Sequence, residues 1–193
     1  GADTKKSQLS NIVFDGGSGD VSGHIKYTGA LSIQDTKDII IKNISMKNNS
    51  NFDDMLHIVY VDNIKLDNIN IENSNMDAID IDMSNNVEIV NTKISQSGND
   101  GIDLMESDVI ISNVKILNSG DKAISVGENS FMILNNSSIS KNNIGIATKD
   151  KSISFIINSN LINNNVALNN YKKNWQYGSG GITKVYKSKL NNK

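Results

Sequence analysis

The feature that most constrains this chain is a repeat. Seven short segments align: Ala30-Leu31-Ser32-Ile33, Met55-Leu56-His57-Ile58, Ala78-Ile79-Asp80-Ile81, Gly101-Ile102-Asp103-Leu104, Ala123-Ile124-Ser125-Val126, Gly145-Ile146-Ala147-Thr148 and Ala167-Leu168-Asn169-Asn170. Their starts lie 25, 23, 23, 22, 22 and 22 residues apart. The second position is always Leu or Ile, and the fourth is apolar in five of the seven. Residues two apart on a strand face the same way, so these two columns point inward and the third position points out.

Most segments are followed by a second apolar-alternating piece ending in Asn, such as Ile64-Lys65-Leu66-Asp67-Asn68 and Val87-Glu88-Ile89-Val90-Asn91. A third piece places an apolar residue three positions after that Asn, at Met46, Ile71, Ile94, Ile116, Ile139 and Leu161. Three short strands per period, bent at turns, describe a triangular solenoid whose coils share a core that no single coil could bury. An α-helical solenoid is excluded by the apolar spacing of two, and a propeller by the short period. The expected fold is therefore all-β, a parallel β-helix of about seven coils of 22–25 residues, with Asn43, Asn68, Asn91, Asn113, Asn136 and Asn158 stacked at one turn. Asn tolerates turn conformations, and its amide can bond the next coil.

The repeat assigns residues 30–193 to the solenoid and 1–29 to an N-terminal cap or linker, with 170–181 as an insertion or end-cap segment. Residues 182–190 read as the second and third strands of a further coil. Gly1-Ala2 reads as a processed or engineered start, so targeting signals and additional domains of a longer protein are expected beyond this stretch. The net charge of −2 disfavours nucleic acid as a partner, and no apolar run is long enough for membrane insertion. Without Cys there is neither a disulfide framework nor a thiolate zinc site, which is compatible with an extracellular, periplasmic or cell-surface location.

The chemistry concentrates on the first strand. Its outward column reads Ser32, His57, Asp80, Asp103, Ser125, Ala147, Asn169, and the position before each segment reads Gly29, Asp54, Asp77, Asp100, Lys122, Ile144, Val166. Asp and Lys are poor strand formers, and like charges stacked one coil apart repel. Asp77, Asp80, Asp82, Asp100 and Asp103 fall within about two coils. A calcium ion, a shared proton, or Lys122 as counter-charge would relieve that crowding; a fully solvated acidic stripe would need none of them. His57 beside Asp54 and Asp80 suits proton transfer. Lys149, Tyr171 and Lys172 continue the same face, and Trp175, Tyr171 and Tyr177 either stack on sugar rings or plug the solenoid end.

At Asn99-Asp100-Gly101-Ile102-Asp103 and Gly120-Asp121-Lys122-Ala123-Ile124-Ser125 the sequence resembles the pectin-lyase-like right-handed β-helix superfamily, over about residues 28–190. It is also similar to a bacterial subgroup of repeat proteins carrying these motifs, the run 77–82, and Tyr171-Lys172-Lys173-Asn174-Trp175-Gln176-Tyr177-Gly178. The superfamily includes polysaccharide lyases, hydrolases and uronate C5-epimerases. Carried over, the resemblance implies an acidic polysaccharide as partner and calcium as cofactor, held by Asp77, Asp80, Asp82, Asp100 and Asp103. It further implies Lys122 or His57 as the base that removes the C5 proton; the residues themselves add Asp80 and Asp103 as candidate catalytic groups, and Lys149, Tyr171, Lys172 and Trp175 as candidate substrate-binding groups. The chain departs from the pattern in having no Arg, and in Leu104-Met105 after Asp103 where bacterial epimerases carry Pro-His. A non-catalytic carbohydrate-binding module and a structural surface module are the alternatives.

Overall fold

The computed structural model describes residues 6–50 and 53–193. The expected processed start at Gly1-Ala2 lies outside the described residues. The described chain winds into a parallel β-solenoid. It begins with β1 (Ser7–Asp15) and an antiparallel hairpin, β2 (Asp20–Ser22) and β3 (Ile25–Tyr27). Two long bent strands follow, β4 (Gly29–Lys47) and β5 (Asp54–Glu72), each running round all three faces of its coil. The next coils break into shorter pieces: β6 (Ile79–Asp82), β7 (Asn85–Val90) and β8 (Lys93–Ser95), then β9 (Ile102–Met105), β10 (Asp108–Ser112) and β11 (Lys115–Leu117). After them come β12 (Lys122–Gly127), β13 (Phe131–Asn135) and β14 (Ser138–Ser140), then β15 (Ile144–Lys149), β16 (Ile153–Ile157) and β17 (Asn160–Asn164). The last coil holds β18 (Val166–Tyr171), the 3-10 turn η1 (Trp175–Tyr177), β19 (Ile182–Tyr186) and β20 (Lys189–Asn192).

The repeat in sequence becomes register in space. Leu31 pairs with Leu56, Leu56 with Ile79, Ile79 with Ile102, Ile102 with Ile124, Ile124 with Ile146, and Ile146 with Leu168. This column and its two counterparts on the other faces form one continuous core, with Leu56, Leu66, Ile71, Ile79, Ile89, Ile102, Ile116 and Ile124 buried. Each such side chain contributes about 1.5–3 kcal/mol on burial.

The expected Asn ladder is present. Asn43, Asn68, Asn91, Asn113, Asn136 and Asn158 all adopt positive φ, which costs an ordinary L residue roughly 1–2 kcal/mol and is routine for Asn. The Asn68 amide donates to Asn43 at 2.9 Å and Asn136 to Asn113; Asn91 turns instead to Asp67 at 2.8 Å. A second, buried ladder sits at the corner after the first face. The Ser84 N–H donates to Ser107 Oγ, Ser107 N–H to Ser130 Oγ, and Ser130 N–H to Ser152 Oγ, each at 3.0 Å. These bonds satisfy backbone donors at the corner, where no strand partner is available.

Two segments lie outside the plain repeat. Residues 7–15, expected as part of a cap or linker, are β1 and form a rung in parallel register with residues 39–47 of β4. Leu9, Ile12 and Phe14 pack against the core there, which extends the second and third faces by one coil. Residues 172–181 do not plug the solenoid end, and Trp175 is 80% exposed. The segment folds back along the corner after the first face. Asp150 Oδ1 accepts from the Lys173 and Asn174 amides at 2.7 and 2.9 Å, and the Tyr177 hydroxyl donates to Glu106 at 3.0 Å.

Candidate functional site

The first face is built from the opening parts of β4 and β5 and from β6, β9, β12, β15 and β18. On it His57 pairs with Asp80, Asp80 with Asp103, Asp103 with Ser125, and Ser125 with Ala147. This is the outward column read from the sequence. Two residues further along, Asp82 pairs with Met105, and Lys149 with Tyr171. Ser32, Asp80, Asp103 and Asn169 remain partly exposed, but neighbours cover the others: His57 is 8% exposed, and Ser125 and Ala147 are 0%.

Asp54 opens β5, Asp77 and Asp100 precede β6 and β9, and all three are buried. The Asp54 side chain turns back to Thr28 of the preceding coil, whereas those of Asp77 and Asp100 turn toward the next coil. Asp77 Oδ1 accepts from the Asp100 N–H at 2.7 Å and from the Asn99 amide at 2.8 Å, and Asp100 Oδ1 accepts from the Lys122 N–H at 2.8 Å. Burial pushes the Asp54 and Asp77 carboxyls up to about 6, and Asp100 up to about 7, against the lowering influence of these bonds and of Lys122. Asp80 is pushed up to about 9, first by burial and then by the charges of Asp82, Asp54, Asp103 and Asp77. Six carboxyl groups, of Asp54, Asp77, Asp80, Asp82, Asp100 and Asp103, thus lie in one another's field.

Lys122 does not relieve Asp80. Its ammonium lies 3.5 Å from Asp100 and bonds Asp121. Burial works to lower its pKa, but the Asp121 bond and the charges of Asp100 and Asp121 outweigh this and hold it above the ordinary value. At the other end, His57 Nε2 lies 3.4 Å from Asp82 and 3.9 Å from Asp80, and His57 Nδ1 lies 2.9 Å from the Thr28 hydroxyl. Among the described residues, the one group of three or more acidic or imidazole ligand atoms within 4.8 Å of one another is His57, Asp80 and Asp82. Asp77, Asp100 and Asp103, expected with Asp80 and Asp82 as calcium ligands, stand outside it. The reason is geometric: Asp77 and Asp100 direct an oxygen at backbone amides one coil away.

The remaining expected residues spread along the lower half of the face. Lys149 is 2% exposed and lies across Gly127, where a Cβ would stand 2.9 Å from its Cε. Burial raises the Tyr171 hydroxyl pKa, partly opposed by the charges of Lys122 and Lys173. Lys172 and Trp175 are exposed on the returning segment 172–181. Thr28, Asp121 and the buried, unpartnered hydroxyl of Ser125 complete the surroundings. Sequence reading missed Thr28 because it precedes the first repeat. It passed over Asp121 because the position before Lys122 carries a charge in only one other coil, at Asp53.

The family model described as "Right handed beta helix region" matches residues 28–192. No curated protein matches the sequence significantly. Among solved structures, the chain is similar to pectate lyase Pel9A, with TM-score 0.68 and 11% identity over 95% of this chain and 52% of that one. It is also similar to the periplasmic alginate epimerase AlgG, with TM-score 0.63 and 14% identity over 82% of this chain and 43% of that one. A third is an endo-xylogalacturonan hydrolase from Aspergillus tubingensis, with TM-score 0.52 and 14% identity over 82% and 50%. The chain thus spans about half the length of the structures it resembles, and at these identities the likeness is one of fold. With the stacked register, the core columns and the family match over residues 28–192, the chain belongs to the right-handed β-helix family and has the pectin-lyase-like fold.

Proposed function

We propose that this chain is the β-helix part of an enzyme that acts on an acidic polysaccharide, by β-elimination or C5 epimerisation at a uronate. One observation carries this reading: a single partly open strip bears His57, Asp80 and Asp103 in register, and the same face holds the Lys122 ammonium, paired with Asp100 and Asp121. Both reactions begin by removing the C5 proton, next to the sugar carboxylate. That step needs a base and a cation to hold the charge that builds on the carboxylate. Lys122, held protonated by its acidic neighbours, is the cation rather than the base. Asp103 or His57 receives the proton. The Tyr171 hydroxyl, which stays protonated at neutral pH, donates to the leaving oxygen or to the opposite face of C5. Lys172 and Trp175, both exposed, extend the sugar-binding surface along the lower coils, with the buried Lys149 beneath it.

Calcium fits this arrangement poorly. It takes six to eight oxygens, and of the five aspartates expected from sequence only Asp80 and Asp82 join the convergent group. A place outside the cytoplasm, where such polymers occur, and further domains in the full-length protein belong to the same proposal.

The test is incubation with polygalacturonate and with mannuronate and guluronate polymers, following ultraviolet absorbance of unsaturated products and solvent deuterium uptake at C5. Turnover by the wild type, lost in Asp103→Asn and Lys122→Ala, is the expected result; turnover that survives both variants refutes the site. The exposed Trp175 favours a second reading, a non-catalytic carbohydrate-binding module, which predicts retention on a glycan with neither product nor exchange.

A further inference from the structure

The hydrogen bonds around His57 determine which ring nitrogen is free. The Thr28 hydroxyl lies 2.9 Å from His57 Nδ1 and also bonds the Asp54 carboxyl, a bond that opposes the upward push of burial on that group. A hydroxyl has one hydrogen, and an ionised carboxylate only accepts. Thr28 therefore donates to Asp54 and accepts from His57 Nδ1–H. In the neutral ring Nε2 then carries a bare lone pair. It is aimed from a side chain that is 8% exposed at two further acceptors, Asp82 Oδ2 at 3.4 Å and Asp80 Oδ2 at 3.9 Å.

The His57 Nε2 lone pair and two carboxyl oxygens converge on one point, so either a proton, which the crowding at Asp80 favours in the metal-free protein, or a cation must lie between them. The separations favour the cation. A charge-assisted hydrogen bond from an imidazolium would draw the pair to about 2.7–2.9 Å. Two ligands each about 2.1 Å from a tetrahedral ion stand about 3.4 Å apart. The ligand set also selects the ion. One imidazole nitrogen with two carboxylates suits zinc and its first-row neighbours, whereas calcium takes oxygen ligands at longer range. The three residues are held on paired strands, His57 opposite Asp80 and Val59 opposite Asp82, so their spacing is set by the solenoid rather than by a loop. Asp80 and Asp82 side chains are 22% and 19% exposed, which leaves coordination positions open to water or a substrate oxygen.

We propose that His57 Nε2, Asp80 and Asp82 form a site for a first-row transition-metal ion of the zinc type, with Asp54 and Thr28 fixing the His57 tautomer from behind. The site stands without any glycan chemistry. Only its catalytic consequence rests on the function proposed above: an ion on Nε2 takes His57 out of proton transfer and leaves Asp103 as the base.

The experiment uses chelator-treated protein titrated with zinc by calorimetry, and with cobalt(II) followed by visible ligand-field absorption. One zinc per chain is expected, with cobalt bands that show nitrogen coordination. Binding should fall at least a hundredfold in His57→Ala and in the double variant Asp80→Asn/Asp82→Asn. Thr28→Val should weaken binding about ten- to a hundredfold by freeing the tautomer. Excess calcium should not displace the zinc. For the wild type alone, nitrogen-15 NMR should show the His57 Nε2 resonance moving on zinc addition while Nδ1 keeps its proton, a readout that no misfolded variant can confuse. The proposal is overturned by an absence of zinc binding, by binding unchanged in His57→Ala, by displacement with calcium, or by a shift at Nδ1 instead. Absence of glycan turnover would count against the proposed reaction and leave the titration result intact.

Discussion

Raising the pH from 5 to 8 should destabilise the metal-free protein. Asp54 and Asp77 have folded-state pKa values of about 6 and Asp100 about 7, against 3.8 for the free side chain. A carboxyl whose pKa is raised by folding binds its proton more tightly in the native state. Its contribution is complete below about pH 4 and is lost as pH climbs through the folded value. From pH 5 upward, roughly one unit remains to be lost at each of Asp54 and Asp77 and two at Asp100, at about 1.4 kcal/mol per unit. The three share one field with Lys122, Asp103 and Asp80, so their effects overlap, and a net loss of about 3 kcal/mol is expected. Asp80, higher still, adds in the same direction. For a chain of this size that loss corresponds to a Tm lower by about 6–12 °C at pH 8 than at pH 5. Calorimetric melts at constant ionic strength, with chelator present, read it directly. Asp77→Asn should flatten the profile, because its amide oxygen can still accept the Asp100 N–H without carrying a charge. A Tm that is flat or rises between pH 5 and 8 would refute the account of a crowded, desolvated acidic ladder.

Two further outcomes follow from packing. Ser107→Ala removes the acceptor of the Ser84 N–H inside the corner ladder and should cost about 1–3 kcal/mol in urea unfolding; a change under about 0.5 kcal/mol would mean that the ladder is dispensable. Gly181→Ala should be severe, because its Cβ would stand 2.4 Å from the Thr148 backbone, whereas Gly127→Ala meets only the flexible Lys149 side chain at 2.9 Å. Proteolysis within 172–181 should therefore accelerate in Gly181→Ala and stay near the wild-type rate in Gly127→Ala.

Much of the site was legible because a solenoid turns a sequence period into a translation. Once Leu56, Ile79, Ile102 and Ile124 share a column, His57, Asp80, Asp103 and Ser125 must share the next one. The turn ladder followed in the same way, since Asn at a regular interval marks the same corner in every coil. The N-terminal rung was not legible. Ser7–Asp15 has no first-face segment before it among the described residues, and the β2–β3 hairpin interrupts its period.

What the sequence by itself determined is the coil, the register and the identity of the outward columns, because strand alternation and the 22–25-residue spacing leave one consistent stacking. Tertiary structure alone decided where each charge is directed. Asp77 and Asp100 bend to backbone amides of the next coil, and Lys122 turns to Asp100 and Asp121. His57 receives its orientation from Thr28, 29 residues earlier in the chain. The segment 172–181 runs back up the corner to Glu106 rather than across the end. A repeat specifies which residues stack; the rotamer of a polar side chain and the path of an insertion depend on the donors and acceptors that neighbouring coils leave free.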